Sequence, residues 1–492
     1  MEIQSYAEHN NGEVDHSGNV QVVTLQEFNK LLESQPRKWH PGSERRRQIH
    51  KVAQQVRLRV GPRSEHLYDP ELVSLGPYHH GKPELRRAEE FKYLCLDSCT
   101  GGDEEKKVFL YNKVLQKIEV IRDCYAEVTI VEKYDDKALA LMMLLDACFI
   151  INFMQNCTFK KKTNFLDWLH CLGMAASTTF TTHDILLLEN QIPFQVLKLL
   201  ITLLIDKEGN PEELLQSYLS LVATRDFNLA KIPGENEEPP IHFLEACWRV
   251  SVEKYDTELN RQEHNQFTSK VKWWPIRLLT RGKGKKKNYG SYTPCRSVMD
   301  LKAKGIHFKP SSSCSLMDIT FKSRAFNGQL CLPVRLISNL TPVFFANMIA
   351  YEVSPNRSIK PAVLSYAIFM KSLIQSPADV KELQERGILL NTLGDYEQVV
   401  KVFKEVDTFR YRHLDVFGDI RQRVEEHCRS RAKTWIADLI HARFQSPWTA
   451  IALFAAIFLL CLTFLQTWEM VIQRWQPVVQ MVARLARASD VG

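Results

Sequence analysis

Apolar residues recur every three or four positions through most of the first half of the chain, and this spacing predicts helices with one buried face. The clearest example runs from Val108 to Glu132, where charged residues separate the apolar ones. Further helices are predicted near residues 184–205, 211–224 and 240–259. The first half is therefore expected to be almost entirely helical.

The segment from Ala138 to Phe153 is apolar on nearly all sides. A helix of this kind belongs either in the centre of a folded domain or in a membrane. Asp146 interrupts the segment, and its apolar stretch is shorter than the roughly 20 residues that a bilayer requires. We therefore predict a buried core helix here rather than a membrane span.

The second half mixes strand and helix signals. Alternating residues around Asn327 and Gly328 predict a small β-hairpin, because this dipeptide suits a tight turn. Helix starts with a capping residue or a first-turn proline are predicted at Thr341-Pro342, Ser376-Pro377 and Asp395. A long charged helix is predicted over residues 416–441. The expected fold class is mainly α, a large helical body with one or two short β-hairpins.

A stretch without any charge, from Phe444 to Trp468, lies near the carboxyl end. A helix of about 21 residues, rising roughly 1.5 Å per residue, matches the hydrocarbon core of a bilayer, which is about 30 Å thick. Pro447 suits the first turn of such a helix. A single C-terminal transmembrane helix is therefore predicted over residues 445–468. Its anchoring side chains are expected to be Trp448, Leu453, Phe454, Ile457, Leu460 and Trp468.

The first 30 residues contain no basic region followed by an apolar run, so no secretory signal peptide is predicted. A long body without such a signal is expected to remain in the cytosol. The predicted localisation is that of a single-pass membrane protein with a cytosolic bulk, and the plasma membrane is favoured over an endomembrane. The side of the membrane that the tail occupies stays open.

These signals divide the chain into six parts, with a break in the middle where basic residues and glycines replace the helical pattern. The parts are a mobile polar leader (residues 1–45), an N-terminal helical half (46–265), a basic loop (266–294), a C-terminal half with the hairpin (295–444), the membrane helix (445–468) and a short tail (469–492).

Composition excludes some classes of protein. Of 492 residues, 45% are apolar and 25% charged, which is typical of a folded chain rather than a disordered one. The formal net charge of +7 is small for this length, so no nucleic-acid partner is predicted.

The candidate lipid-contacting residues of the basic loop are Lys270, Lys272, Trp273, Trp274, Lys283, Lys285, Lys286 and Lys287. Anionic headgroups would suit this cluster, and a solvated or partner-binding loop stays open as the alternative.

Neither cysteine spacing nor any motif predicts chemistry. The 12 cysteines are scattered without a Cys-x-x-Cys pair, which indicates reduced and mostly buried thiols. The spacings of serine hydrolases, zinc proteases, deaminases, kinases and phosphate-binding loops are all absent from the sequence. We therefore predict no catalytic residue, no cofactor and no metal site.

One group of polar residues stands out because its neighbours are apolar. Its members are His79, His80, Asp146, Glu189, Asn190 and Gln191. An unpaired buried carboxylate costs several kcal/mol, so the two acids must be hydrogen-bonded, paired with a base or protonated. The amides precede Pro193, which lacks an N–H, and so suit a polar brace at a helix break. A structural network is the favoured interpretation, while a ligand pocket and acid–base catalysis stay open.

Several stretches together resemble a family of plant proteins catalogued as domain of unknown function 247. They are Val73–Gly81, Met142–Ile150, Asp184–Phe194 and Ser446–Trp448. The resemblance implies a plant protein that spans the membrane once near its C-terminus and has no established catalytic activity. It also implies that some relatives act as self-incompatibility determinants in grass pollen, and that others are linked to stress or defence.

Two functions are consistent with these observations. The first is a membrane-anchored, non-enzymatic interaction or signalling protein with a protein partner. The second is an enzyme or small-molecule receptor whose pocket lies around Asp146, Glu189 and the histidine pair His79-His80.

Overall fold

The computed structural model describes residues 47–158, 177–205, 210–223, 238–252, 296–324, 327–355, 361–407, 416–429, 451, 455–470, 472 and 475. Several predictions lie outside these residues. They are the polar leader, the basic loop with its lysines and tryptophans, the anchoring residues Trp448, Leu453 and Phe454, and most of the tail.

The described residues are mainly helical, as predicted, with two small sheets. The helices of the first half are α1 (Gln54–Val60), α2 (Ser64–Tyr68), α3 (Arg86–Thr100), α4 (Glu104–Leu115), α5 (Ile118–Asp123), α6 (Val128–Val131), α7 (Asp136–Thr158), α8 (Ser177–Ile185), α9 (Phe194–Leu204), α10 (Pro211–Ala223) and α11 (Phe243–Val252). Short 3₁₀ turns occur at Gly61–Arg63 and Pro83–Leu85.

The elements of the second half are α12 (Val298–Ala303), β1 (Ile306–Pro310), β2 (Thr320–Ser323), β3 (Gly328–Leu332), β4 (Arg335–Ile337), α13 (Thr341–Glu352), α14 (Ala362–Leu373), α15 (Pro377–Glu385), β5 (Leu389–Asn391), α16 (Tyr396–Glu405) and α17 (Gly418–Arg429). A last apolar helix, α18, follows at Ala455–Met470.

Helix α7 is the centre of the first half. It contacts α3, α4, α5, α9 and α10, and its residues from Leu139 to Met154 are almost all buried. Among the described residues it is the helix that is long and apolar enough to cross a membrane, but 83% of its apolar window is buried inside the protein. The prediction of a core helix is confirmed.

Two predicted helices are interrupted. The amphipathic pattern over Val108–Glu132 is divided among α4, α5 and α6, because the chain leaves the helix at Cys124–Ala126 to pair with Ile49. The Ile49 N–H donates to the Cys124 carbonyl at 2.7 Å, and the Ala126 N–H donates to the Ile49 carbonyl at 3.0 Å. A partner this distant in sequence leaves no trace in the local pattern. The single helix predicted over 184–205 is also wrong, since α8 and α9 are separate.

The predicted hairpin is present, but the sheets contain more than hairpins. β2 and β3 pair antiparallel, with Phe321 opposite Leu330. β1 joins the other side of β3 in parallel, and β4 pairs in parallel with β5. Parallel pairs need long connections and have no turn signature, so the sequence did not indicate them.

The predicted helix starts are largely confirmed. Ser376 and Asp379 form a capping box at the start of α15, and Asp395 caps α16 by accepting from the Glu397 N–H at 3.0 Å. At α13 the role of Thr341 differs. It is the first helical residue, and its hydroxyl accepts from the backbone of the preceding turn.

Helix α18 contains the described part of the predicted membrane segment. Its side chains are exposed, among them the predicted anchors Ile457, Leu460 and Trp468. It is shorter than α7, and by length and composition it does not reach the span of a bilayer on its own. The C-terminal transmembrane helix therefore stays a prediction.

Candidate functional site

The predicted amides Asn190 and Gln191 lie at the break between α8 and α9. The Gln191 side-chain amide donates to the carbonyl oxygens of Ile185 and Leu187, at 2.7 and 2.8 Å. These carbonyls lie where the helix ends, a place where backbone carbonyls need partners from outside the helix. The side-chain oxygen of Gln191, Oε1, accepts from the Leu244 N–H at 3.1 Å, and this bond connects the break between the helices to α11.

Asn190 joins the same break to an irregular segment, residues 71–80. Its side-chain oxygen accepts from the Leu75 N–H at 2.7 Å, and its amide donates to the Val73 carbonyl at 2.9 Å. Both side-chain groups of this buried amide are therefore satisfied by backbone. Asp184 holds the start of the segment by accepting from the N–H groups of Glu71 and Leu72, at 3.0 and 2.8 Å.

Asp146 binds the middle of the segment from α7. Its carboxylate accepts from the Gly76 N–H at 2.7 Å and lies 2.6 Å from the Lys92 ammonium on α3. Asp146 is 1% exposed and Lys92 is 0% exposed, so the ion pair is completely buried. Burial raises the pKa of Asp146, while the Lys92 charge opposes that shift. The pair links two core helices and a segment without regular structure.

Lys92 has further acceptors, and together they complete its hydrogen bonding. Its ammonium donates to the Ser74 carbonyl and to the Glu89 carboxylate, both at 2.7 Å. With Asp146 this makes three acceptors for three N–H donors. The Ser74 hydroxyl also donates to Glu89, and His80 lies 3.5 Å from the same carboxylate.

Glycine is required at position 76. Its φ is +78°, a conformation that side chains with a Cβ rarely adopt. A Cβ at this position would lie 2.5 Å from the Gln191 carbonyl oxygen and 2.9 Å from the Tyr125 hydroxyl. The 71–80 segment therefore approaches the helix break too closely for any other residue.

Glu189 is held from the amino-terminal side. It accepts from the Val52 N–H at 2.8 Å and lies 3.0 Å from the Arg57 guanidinium. Arg57 also donates to both carboxylate oxygens of Asp69, at 3.1 and 3.3 Å. Burial raises the pKa of Glu189, and the Arg57 charge counteracts this shift.

The two adjacent histidines have different surroundings. His79 is 4% exposed, and its Nε2 lies 3.5 Å from Glu189, without a hydrogen-bond partner among the described residues. Burial lowers the pKa of His79 to about 4, with a further contribution from the Lys82 charge. His80 is partly exposed and packs edge-on against the Tyr134 ring. His79 is therefore a neutral packing residue at neutral pH.

His183 completes the network next to Asp184. Its ring nitrogens lie 2.8 Å from the Asp184 carboxylate and 2.8 Å from the His66 carbonyl oxygen. Burial disfavours the charged ring, but the hydrogen bond and charge of Asp184 outweigh burial and raise the pKa of His183.

Two groups of possible metal ligands occur here, and neither is suited to a cation. In the group of Asp69, His79 and Glu189, the Arg57 guanidinium already binds both carboxylates and supplies the positive charge. In the group of His66, Glu71 and His183, both nitrogens of His183 are occupied by other partners.

The structure therefore brings the six predicted residues to one segment of chain rather than to an open pocket. Their carboxylates and amides bind backbone groups or the cations Lys92 and Arg57. Sequence reasoning missed the partners Arg57, Lys92, Asp184 and His183, along with Asn347, whose side chain bonds the Leu188 N–H and the Leu67 carbonyl. Lys92 in particular follows the charged Arg86–Glu90 stretch and looks like an ordinary surface lysine.

A cavity of about 290 Å³ lies apart from this network. Residues of α8, α10, β4, α13, α14 and α16 line it, so both halves of the chain contribute. Arg335 of β4 is the charged residue in its wall. No sequence pattern indicates this site, because Arg335 is a single cation in a short strand.

Comparisons with known proteins agree with the resemblance described above. The model of a family described as plant protein of unknown function matches residues 49–462. A putative UPF0481 protein from Arabidopsis thaliana is 23% identical over 474 residues, which cover 82% of this chain and 87% of the relative. A second UPF0481 protein from Arabidopsis thaliana is 27% identical over 424 residues, with coverage of 81% and 82%. No solved structure is significantly similar to the chain.

Proposed function

We propose, from the premise that this chain belongs to the plant family catalogued as domain of unknown function 247, that it is a membrane-anchored, non-enzymatic binding protein. The observation that carries the proposal is the exposed apolar surface of α18. Phe458, Leu460 and Phe464 are 64%, 69% and 67% exposed. Such a surface is unfavourable in water, and a bilayer is the environment that accepts it.

The distribution of these side chains favours a bilayer over a protein groove. Apolar residues are exposed at consecutive positions from Ile457 to Leu460, so they point in all directions around the helix axis. A helix that packs on a protein is apolar along one stripe only. Ala455–Met470 rises about 24 Å at 1.5 Å per residue, compared with a bilayer core of about 30 Å, and the sequence from Phe444 to this helix carries no charge.

A binding role is favoured over a catalytic one by the contacts that the two buried acids of the polar network already make. Asp146 and Glu189 are buried and already accept hydrogen bonds from backbone and from cations. A general acid or base needs contact with a substrate, and the contacts to backbone and to cations compete with such a role. They support a binding protein over the alternative of an enzyme or receptor whose pocket lies around these acids and His79.

We further propose that the body faces the cytosol, with the plasma membrane as the favoured location, and that its partner is a protein. The lysines and tryptophans of residues 270–287 remain proposed contacts to anionic lipid. Asn339 tests the orientation, since it is exposed and begins an Asn-Leu-Thr acceptor sequence. A cytosolic body leaves Asn339 without a glycan, and a glycan on it would contradict this topology.

Extraction of membranes with alkaline carbonate tests the anchor. We expect the full-length protein to stay with the membrane, and a variant with Leu460→Lys and Phe464→Lys in α18 to be released. The matched control is Leu58→Lys, which changes an apolar residue that is 72% exposed on the body. Release of the unmodified protein, or equal retention of the α18 variant, would contradict the proposal.

A further inference from the structure

The cavity beside β4 contains a cation without an anionic partner. The Arg335 guanidinium donates to the Ala223 carbonyl at 2.7 Å and lies 5.4 Å from the centre of the Phe344 ring. Among the described residues, no carboxylate lies within ion-pair distance of it. Its remaining N–H donors are therefore available to a ligand, and the two contacts hold the side chain in place for one.

Burial lowers the pKa of Arg335, because the surrounding protein disfavours its charge. A guanidinium titrates so far above neutral pH that it nevertheless stays protonated. Other partly buried arginines of this chain have carboxylates nearby, such as Arg57 with Asp69 and Arg296 with Glu425. Arg335 differs from these two arginines, because no carboxylate of the described residues pairs with it.

A second polar group points to the same ligand. Tyr366 is 0% exposed and lines the cavity, and its hydroxyl has no hydrogen-bond partner among the described residues. Buried hydroxyls are normally paired, so an unpaired one beside a cavity indicates that a ligand supplies the acceptor. Burial raises the pKa of Tyr366 to about 12, so the hydroxyl keeps its proton and can donate.

Much of the remaining wall is aromatic or aliphatic and includes Phe344, Phe345 and Phe403, while Thr182, Thr341 and Tyr218 add polar groups. The apolar part of the wall and the volume of the cavity set the size and character of the ligand. The volume of about 290 Å³ is roughly twice that of a cavity that accommodates benzene, about 150 Å³. The space therefore suits a small aromatic or branched body of on the order of a dozen non-hydrogen atoms.

We propose that this cavity binds a small amphipathic monocarboxylate, with its carboxylate at Arg335 and Tyr366 and its apolar body among the phenylalanines. A carboxylate matches the planar guanidinium through two parallel hydrogen bonds. The site offers one positive charge, so a dianionic phosphate would leave one negative charge without a cationic partner in the cavity. Inorganic phosphate is therefore expected to bind much more weakly. The inference does not depend on the membrane anchor.

Isothermal titration of the full-length protein in detergent tests the proposal, with phenylacetate as the probe. Its neutral amide, phenylacetamide, has almost the same shape and lacks the charge. We expect phenylacetate to bind, phenylacetamide to bind at least tenfold more weakly, and inorganic phosphate to show no comparable affinity. Octanoate, a flexible linear carboxylate, distinguishes a shaped aromatic cavity from general binding to apolar surface, and it is expected to bind more weakly than phenylacetate.

Two variants locate the site. Arg335→Met is expected to weaken phenylacetate at least tenfold and to abolish the preference over the amide, and Tyr366→Phe is expected to weaken it severalfold. The matched control, Arg386→Met, removes an arginine that is 44% exposed and paired with Glu382, and it should leave binding unchanged. If Arg335→Met fails to fold, Tyr366→Phe and the comparison of phenylacetate with phenylacetamide still test whether the ligand binds in this cavity. Lack of phenylacetate binding at millimolar concentration, equal binding of the amide, or unchanged affinity in both variants would overturn the proposal.

Discussion

Lys92 is a completely buried cation in the first half of the molecule, Arg335 is a partly buried cation in the second half, and their surroundings are opposite. The Lys92 ammonium has three acceptors, two of them carboxylates, within 2.7 Å. The Arg335 guanidinium has one backbone carbonyl and an aromatic ring. Lys92 fills the space between helices, whereas Arg335 borders a cavity.

The difference separates structural charge from charge that is available for function. A buried ion whose hydrogen bonds are complete contributes to the folded state, and its removal leaves its partners unpaired. Burying a cation without an anionic partner costs desolvation free energy, and this cost is offset only if a ligand supplies the anion. Three substitutions and one pH dependence test this distinction.

The largest effect is expected for Lys92→Met. The change leaves the Asp146 carboxylate, which is 1% exposed, without its cation. We expect the free energy of unfolding to fall by about 3–5 kcal/mol, measured by urea denaturation of the full chain in detergent. Adding Asp146→Leu should recover part of the loss, because it removes the unpaired charge.

The control for this change is Lys401→Met, which removes a lysine that is 71% exposed and 4.0 Å from Glu405. It should alter the free energy of unfolding by less than about 0.5 kcal/mol. If Lys92→Met were tolerated as well as Lys401→Met, the network around Lys92 would not be structural.

The next largest effect is expected for Gly76→Ala. Alanine disfavours the positive φ of this position, and its Cβ would lie 2.5 Å from the Gln191 carbonyl oxygen. We therefore expect the free energy of unfolding to fall by about 2–4 kcal/mol in the same assay. Gly81→Ala is the matched control, because Gly81 has a φ of +84° and nothing within 4 Å. It should lose only the conformational part, about 1 kcal/mol. Equal losses would mean that the close approach at Gly76 is not important.

The third prediction concerns pH and His79. Its pKa is about 4 in the folded protein and about 6.5 in the unfolded chain, so between these values the unfolded state binds a proton that the folded state does not. Stability should therefore fall as the pH drops from 6.5 through 4, by about 2–3 kcal/mol more than in His79→Leu. The charged groups around His79 are Glu189, Asp69, Arg57, Lys82 and Lys51. Parallel pH profiles of the two proteins would contradict the assignment.

The smallest effect is expected for Arg335→Met in the absence of ligand. The change removes one hydrogen bond to Ala223 but also removes a charge without an anion, and the two effects oppose each other. We expect the free energy of unfolding to stay within about 1 kcal/mol of the unmodified protein. A loss comparable to that of Lys92→Met would show that Arg335 is structural after all.

Local patterns predicted the parts of this fold that depend on local chemistry. The all-round apolar sequence of α7 predicted a buried helix, and the serine, proline and aspartate at 376–379 predicted the start of α15. The same burial argument identified Asp146 and Glu189 as residues that require partners. It could not identify the partners, because Lys92 lies 54 positions from Asp146 on another helix and has no unusual neighbours.

Pairings between distant residues account for what the sequence did not predict. Ile49 interrupts the helix predicted over Val108–Glu132 from far along the chain, and β1 pairs with β3 without a turn between them. The site at Arg335 also depends on contacts between residues that are distant in sequence. Its cavity forms only when β4 meets helices from both halves, so no window of sequence contains the site.

A crystal structure with bound 4-bromophenylacetate tests the central distinction most directly, because the anomalous signal of bromine locates the ligand without reference to any expectation. The account predicts bromine among Phe344, Phe345 and Phe403, with the carboxylate at Arg335 and Tyr366. Bromine beside Asp146, Glu189 and His79 would contradict it, since the network would then be the binding site and the Arg335 cavity would not.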